Sequence, residues 1–170
     1  MAIMTEQQAR ELLARVLELS EADECECNLA GSIEGNIRYA RNTVTTSGEV
    51  SDVTLSVQSG FGKRTGISTI NEFDDASLER VVRRSEQLAR LAPENPEWMP
   101  LLGPQEYKKT PTWSGATANV TPEQRARGAE ASIVPSKKED LVAAGFLDDS
   151  EAFIAIMNNK GLFAYNLRTE

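Results

Sequence analysis

The chain begins with a pattern of apolar and polar positions that is typical of an amphipathic helix. Apolar residues recur at the spacing of one helix face, at Ala9, Leu12, Leu13, Val16 and Leu19. Thr5 and Gln8 precede this stripe at the spacing of a capping box, in which each side chain bonds a backbone N–H of the first turn. The pattern predicts a first helix that begins directly after Thr5.

From residue 24 to residue 70 the apolar period changes to two, the period of a β-strand. The alternating positions include Cys25, Cys27, Leu29, Ile37, Tyr39, Val44, Thr46, Val53, Leu55 and Val57. Glycine and serine favour turns at Gly31 and Gly35, at Ser47-Gly48 and at Gly60-Phe61-Gly62-Lys63. Such connections are too short for the crossover between parallel strands. We therefore expect an antiparallel meander of four or five strands.

A second helix is predicted over about residues 77–91, with Asp74 or Asp75 near its start. Its expected buried face comprises Leu78, Val81, Val82, Leu88, Ala89 and Ala92. Its outer face alternates arginines with glutamates, at Arg80, Arg83, Arg84, Arg90, Glu79 and Glu86. We expect the apolar face to cover the sheet and the charged face to be solvated, without a ligand.

Periodicity is lost over about residues 93–120, where five prolines are spaced along the chain. A loop of this length is uncommon in a compact domain unless it packs or binds something. Its large side chains are expected to pack against the surface as a strap; these are Trp98, Met99, Leu101, Leu102 and Tyr107. An interface with another protein is the alternative for these side chains.

A third helix is predicted to start after Thr121, with Pro122 at its first position, and to end at about Val134, before Pro135. Strand-like apolar runs follow over residues 141–147, 152–157 and 162–167, with a tight turn at 158–161. The chain ends at Glu170, directly after a predicted strand, from which we expect a longer protein to continue beyond it. The predicted fold class is α+β, an antiparallel or mixed sheet covered by helices, with residues 1–170 forming a single domain.

The composition argues against histidine-dependent catalysis and against binding to nucleic acid or to an anionic membrane. The chain contains no histidine, which is the usual general base and the commonest zinc ligand. The net charge of -8 argues against binding to nucleic acid or to an anionic membrane. Residues 1–19 contain too many charges for a signal peptide, and no apolar run reaches the length of a membrane span. Cys25 and Cys27 are too close along the chain to form an unstrained disulfide, so nothing indicates an oxidising compartment, and we expect a cytoplasmic protein.

Three groups of residues suggest chemistry, and for each a structural interpretation is favoured. Cys25 and Cys27 lack further cysteine or histidine ligands, so they are expected to be buried as small apolar residues. The glycines around Lys63-Arg64-Thr65 do not match a phosphate-binding loop, and a hairpin turn is favoured. The paired carboxylates Asp74-Asp75, Glu139-Asp140 and Asp148-Asp149 are expected to cap a helix or to solvate turns rather than to act in catalysis. No catalytic or metal-binding residue is predicted, and the substrate-binding residues are unknown.

Several short motifs, in order along the chain, resemble the amino-terminal domain of the TldD/PmbA family, also called modulators of DNA gyrase. They lie at residues 20–27, 41–44, 48–50, 60–69, 102–107, 143–147 and 158–165. Each is unspecific alone, but their order over almost the whole chain is specific.

The resemblance implies that the full-length protein is a zinc metallopeptidase, whose H-E-x-x-x-H helix and cysteine ligand would lie in a carboxy-terminal domain absent from this chain. It implies a non-catalytic domain that contributes to a substrate chamber and to dimer assembly for proteolysis of peptides or unfolded proteins. The implied partners are the protein's own carboxy-terminal domain, a second family member in a homo- or heterodimer, and a peptide substrate. A domain of a non-catalytic companion subunit or binding module of the same family is the alternative. Zinc is not expected to bind this chain.

Overall fold

Each of the three long helices begins after a residue whose side chain caps it. In this computed structural model, which describes residues 3–170, the helices are α1 (Glu6–Leu19), α2 (Asp75–Leu91), a short α3 (Gly115–Ala118) and α4 (Pro122–Lys138). Thr5, Asp74 and Thr121 each accept a hydrogen bond from the backbone N–H three residues further on. The starts of α1 and α4 are those that the sequence predicts, and α2 starts two residues before the predicted position 77, because a cap depends only on local residues.

Helix α4 does not end before Pro135, so the predicted end at Val134 is wrong. The helix continues to Lys138. Pro135 lies in the last turn, where its missing N–H removes one backbone bond near an end that already has unpaired groups. The Ser136 hydroxyl donates to the Ser132 carbonyl at 2.9 Å, and this bond supports the same turn.

The strands form one antiparallel sheet in the order β3-β2-β1-β4-β5. Their bounds are β1 (Glu24–Ala40), β2 (Thr43–Phe61), β3 (Arg64–Ile70), β4 (Gly145–Asn158) and β5 (Phe163–Thr169). The predicted α+β fold class is therefore confirmed, with an antiparallel rather than a mixed sheet.

The region over residues 24–70 contains three strands, not four or five, because two of the predicted turns do not exist. Gly31 and Gly35 lie within β1, and Ser47-Gly48 lies within β2. The connection between these strands is instead Arg41-Asn42, with φ values of 51° and 58°, the backbone of a tight two-residue hairpin. The Asn42 side chain holds the hairpin to the following segment, since it donates to Leu141 O at 2.8 Å and accepts from Ala143 N at 2.7 Å. The turn at Gly62-Lys63 is confirmed.

The two predicted strands at 141–147 and 152–157 are one strand, β4, which starts at Gly145. Asp148 and Asp149 accordingly lie in a strand and not in a turn. The last turn is confirmed. There the Asn158 side chain accepts from Lys160 N at 3.0 Å and Leu162 N at 3.1 Å, while Gly161 has a φ of 93°.

The helices cover one face of the sheet. Helices α1 and α2 pack on the strand positions of a main core that includes Cys25, Cys27, Leu29, Leu55, Val57, Phe153 and Ala155. Helix α4 packs on a second, smaller core with Ile37 and Tyr39. These β1 residues are all odd-numbered, and side chains two apart point to the same side of a strand. The even-numbered positions of β1 therefore form the opposite face.

The predicted buried face of α2 is wrong at two positions. Leu88 is 42% exposed, whereas Glu86 is only 4% exposed. The Glu86 carboxylate is stabilised by donors, since it accepts from the backbone N–H of Glu21 at 2.6 Å and from Arg83 at 2.8 Å. A buried carboxylate needs such partners.

The strap is anchored through its backbone, and only two of its five large side chains, Trp98 and Leu101, are half-buried. Asn95 N donates to Lys63 O at 2.9 Å, and the Asn158 side chain donates to Leu102 O at 3.0 Å. Met99, Leu102 and Tyr107 are 80%, 64% and 55% exposed. The predicted packing of these three side chains is therefore wrong. The backbone hydrogen bonds hold the strap to the domain without contacts from these three side chains.

Candidate functional site: the open face of the sheet

The face of the sheet opposite the helices is the candidate functional site, and we call it the open face. Small and polar residues occupy its positions on β1, among them Asn28, Ala30, Ser32, Glu34 and Asn36. Because these residues alternate with the apolar core positions, the period-two pattern itself places them on this side. Ile154 of β4 also lies on the open face and is 52% exposed.

A depression of about 490 Å³ lies across the middle strands of the open face; we call it the open-face groove. Its lining includes two rows of residues that run across the sheet. Strand register aligns Asp52, Ser32, Ala152 and Arg168 in one row, and Thr54, Ala30, Ile154 and Asn166 in the next. The small side chains of Ala30, Ser32 and Ala152 leave the floor low, whereas Ile154 in the second row is 52% exposed. At the usual strand spacing the groove is about 14 Å wide from β2 to β5.

The two sides of the open-face groove carry opposite charge. Asp52 stands at the β2 side and Arg168 at the β5 side. The Ser32 hydroxyl donates to Glu34 at 3.0 Å, and the Thr54 hydroxyl donates to Asp52 at 3.4 Å. These hydrogen bonds hold the carboxylates of Glu34 and Asp52 in place. The groove therefore presents carboxylates, hydroxyl groups and one guanidinium to a polar ligand.

Cys25 and Cys27 lie outside the open face. Both are fully buried in the main core, on the side covered by the helices, as the sequence predicts. A hydrogen bond with Cys25 and burial together raise the pKa of the Cys27 thiol far above its ordinary value. No group of three or more metal-ligating side chains occurs within residues 3–170.

The other candidate residues have structural roles. Gly66 packs under α2, where an added methyl group would overlap the backbone of Ser85, Leu88 and Ala89. Asp74 caps α2, and the hydrogen bonds from the hydroxyl and the backbone N–H of Ser77 lower the pKa of its carboxyl group. Asp140 has a φ of 54° in the turn after α4. None of these residues lines the open-face groove.

An ion pair that the sequence does not predict joins α4 to the sheet. The Arg125 guanidinium is 4% exposed and donates to both oxygens of Asp149, at 2.8 and 3.0 Å. It also lies 3.6 Å from Glu49, and its Nε has no partner among the described residues. The signal in the sequence is the spacing of Arg125 from Ala129 and Ile133, which places it in the apolar stripe of α4.

A family model matches the amino-terminal half of the chain in part. Residues 25–89, from β1 to the last turn of α2, match the family described as PmbA/TldA metallopeptidase domain 1. These residues resemble a first domain of the TldD/PmbA family. The resemblance inferred from the ordered motifs is confirmed at this level.

Three solved structures share the fold of this chain at low sequence identity. TldE from Thermococcus kodakarensis matches 95% of the chain with a TM-score of 0.83 and 18% identity. A proposed modulator of a DNA gyrase from Thermotoga maritima matches 94% with a TM-score of 0.80, and one from Bacteroides thetaiotaomicron matches 98% with a TM-score of 0.82, each at 14% identity. The agreement extends over the strap and β4–β5, beyond the residues that the family match covers.

The chain spans 37%, 37% and 40% of the lengths of these three proteins, in the same order. No curated protein matches the chain. Among residues 3–170, no helix is both long enough and apolar enough to span a membrane.

Proposed function

We propose that the chain is the non-catalytic, substrate-side domain of a TldD/PmbA-type metallopeptidase. The observation that carries this proposal is the match of residues 25–89 to the first domain of a metallopeptidase family. The domain would contribute to a substrate chamber and to dimer assembly for proteolysis of peptides or unfolded proteins. Its partners would be a carboxy-terminal domain of its own protein, a second family member and the peptide.

The open face supports a role in holding substrate. It presents a groove of about 490 Å³ with a low floor and with Asp52 and Arg168 on opposite sides. A peptide carries backbone dipoles throughout and charged side chains at intervals, so a groove of mixed polarity suits it better than a purely apolar one. The net charge of -8 favours such a partner over nucleic acid or an anionic membrane.

The zinc chemistry would lie outside this chain. The protein has no histidine, and its two cysteines are sealed in the core away from the open face. Zinc is therefore expected in a carboxy-terminal domain, while this domain binds and orients the peptide. A cytoplasmic location is proposed for the same protein.

The nucleotide sequence downstream of Glu170 tests this assignment. We expect an open reading frame that continues into a region with an H-E-x-x-x-H motif and a cysteine ligand. A downstream region of the same family without the motif would assign the domain to a non-catalytic companion subunit instead. A gene that ends near Glu170 would contradict both assignments.

A further inference from the structure

The main core reaches the surface in a depression beside the end of β3. The pairing of β3 with β2 ends where Ile70 lies opposite Leu55, so no strand of the sheet lies outside residues 51–53 of β2. After Ile70 the chain leaves the sheet towards α2, and Asn71 and Phe73 flank this part of β2. A groove of about 630 Å³ remains between α1, β2 and the segment after β3; we call it the α1 groove.

The floor of the α1 groove is apolar and continuous with the main core. Leu12 belongs to that core and is 7% exposed, and Met4, Val53 and Phe73 are partly buried against it. All four residues line the groove. Small-molecule sites are typically of this volume, and they combine an apolar lining with a few polar groups that orient the ligand. The floor is therefore suited to the apolar body of a small ligand.

The rim of the α1 groove carries polar side chains from all three of its walls. Gln8, Glu11 and Arg15 line it from α1, Ser51 lines it from β2, and Asn71 lines it from the segment after β3. Residues three and four apart lie on one face of a helix, so the three α1 residues follow one another along the groove. All five rim residues are exposed, which leaves them accessible to the polar end of a ligand.

The charge available at the rim is negative. Glu11 forms no salt bridge within residues 3–170, and its Oε1 accepts a hydrogen bond from the amide of Gln7 at 2.9 Å. Arg15 is instead paired with Asp75, which does not line the groove. The net charge of -8 further favours a cationic ligand over an anionic one. A ligand with a positive group near Glu11 is complementary to this rim.

We propose that the α1 groove binds a small organic amine, whose aromatic or aliphatic body lies on Leu12, Val53 and Phe73 and whose ammonium group pairs with Glu11. This site goes beyond the proposed function, because the α1 groove lies on the helix side of the sheet and the open-face groove lies on the other side. A ligand there contacts α1, β2 and the segment before α2 together, so binding stabilises the folded chain.

Nuclear magnetic resonance titration of the ¹⁵N-labelled chain with three indole compounds tests the site. Tryptamine, tryptophol and indole-3-propionate share one ring system and carry an ammonium, a hydroxyl and a carboxylate group. We expect tryptamine to shift the amide signals of residues 8–15, 51–53 and 71–73. It is expected to bind roughly two- to fivefold more tightly than tryptophol, the effect of one partly exposed ion pair, and indole-3-propionate is expected to bind most weakly. Absence of shifts at these residues, or equal affinities for the three compounds, would overturn the proposal.

Two variants with matched carboxylates test the pairing with Glu11. Glu11→Gln is expected to weaken tryptamine binding roughly two- to fivefold and to leave tryptophol binding unchanged, because only the ammonium group loses its partner. Glu18→Gln removes an exposed carboxylate from the same helix outside the groove, and it is expected to leave both affinities unchanged. Equal losses of tryptamine affinity in the two variants, or no loss in Glu11→Gln, would contradict the assigned role of Glu11.

A third variant tests the location of the ligand body. Ser51→Phe places a large side chain into the groove from an exposed position of β2. It is expected to abolish binding of all three compounds without lowering the melting temperature of the free chain. Binding retained in this variant would overturn the proposal. None of these measurements involves proteolysis or sequence beyond Glu170, so their outcome is independent of the test of the proposed function.

Discussion

At the scale of single residues, the attachment of α4 to the sheet depends on one buried charge. Arg125 is 4% exposed and Asp149 accepts two of its hydrogen bonds. A buried charge that loses its partner is strongly destabilising, because its desolvation is no longer offset. Gly35 makes room for this guanidinium, since a methyl group there would overlap it.

The change Asp149→Asn is therefore expected to lower the free energy of unfolding by about 2 to 3 kcal/mol, below the full effect of removing a buried partner because Glu49 stays nearby. Urea denaturation followed by circular dichroism measures this. The matched control is Glu123→Gln, which removes an exposed ion pair with Arg127 on the same helix and is expected to change stability by less than about 0.5 kcal/mol. Equal losses of unfolding free energy in the two variants would contradict a larger contribution from the buried Arg125–Asp149 pair.

Whether a side-chain contact can be predicted from the sequence depends on how far apart its two partners lie along the chain. The caps at Thr5, Asp74 and Thr121 involve partners three residues away, and the sequence predicts all three regions. The partner of Arg125 is 24 residues away, on a strand whose register the sequence does not specify. The burial of Glu86 likewise depends on backbone at Glu21, 65 residues away.

At the scale of elements, the period-two pattern predicts strands well and their ends poorly. The alternation in β1 runs unbroken through Gly31 and Gly35, so their side chains stay on one face and no turn is needed. The hairpin at Arg41-Asn42 has two positive φ values without a glycine, which is uncommon outside Asn and Asp. The alternation predicts which residues lie on the open face. The position of the groove cannot be predicted in this way, because it depends on which strands are neighbours in the sheet.

The packing of α2 against β3 gives a prediction at this scale. Gly66→Ala is expected to lower the free energy of unfolding by about 2 kcal/mol, because the added methyl group meets helix backbone that cannot move aside cheaply. Gly48→Ala is the matched control, since an added methyl group in β2 meets nothing within 4 Å; it is expected to be neutral or slightly stabilising. Thermal unfolding of both variants measures the difference. Equal melting temperatures would contradict the close approach of α2 to β3.

At the scale of the whole molecule, one layer of helices leaves the middle of the opposite sheet face and part of one sheet edge uncovered, while the strap bonds Glu24 and Asn158 at one end of that face. The covered face contains both cysteines and the two cores. The residues that stabilise the fold therefore lie on one face of the sheet, and the residues of the open-face groove lie on the other. The fold class could be predicted because alternation and caps are local. The location of the open-face groove could not, because residues from β2, β1, β4 and β5 build it together.

The measurement that tests the central claim most directly is a peptidase assay of the purified 170-residue chain beside the longer protein that the proposed function expects. Both are incubated with an unfolded peptide, with added zinc and with a chelator. The proposed function predicts no turnover by the chain under any of these conditions, and chelator-sensitive turnover by the longer protein. Turnover by the chain alone that a chelator abolishes would contradict its assignment as the non-catalytic domain.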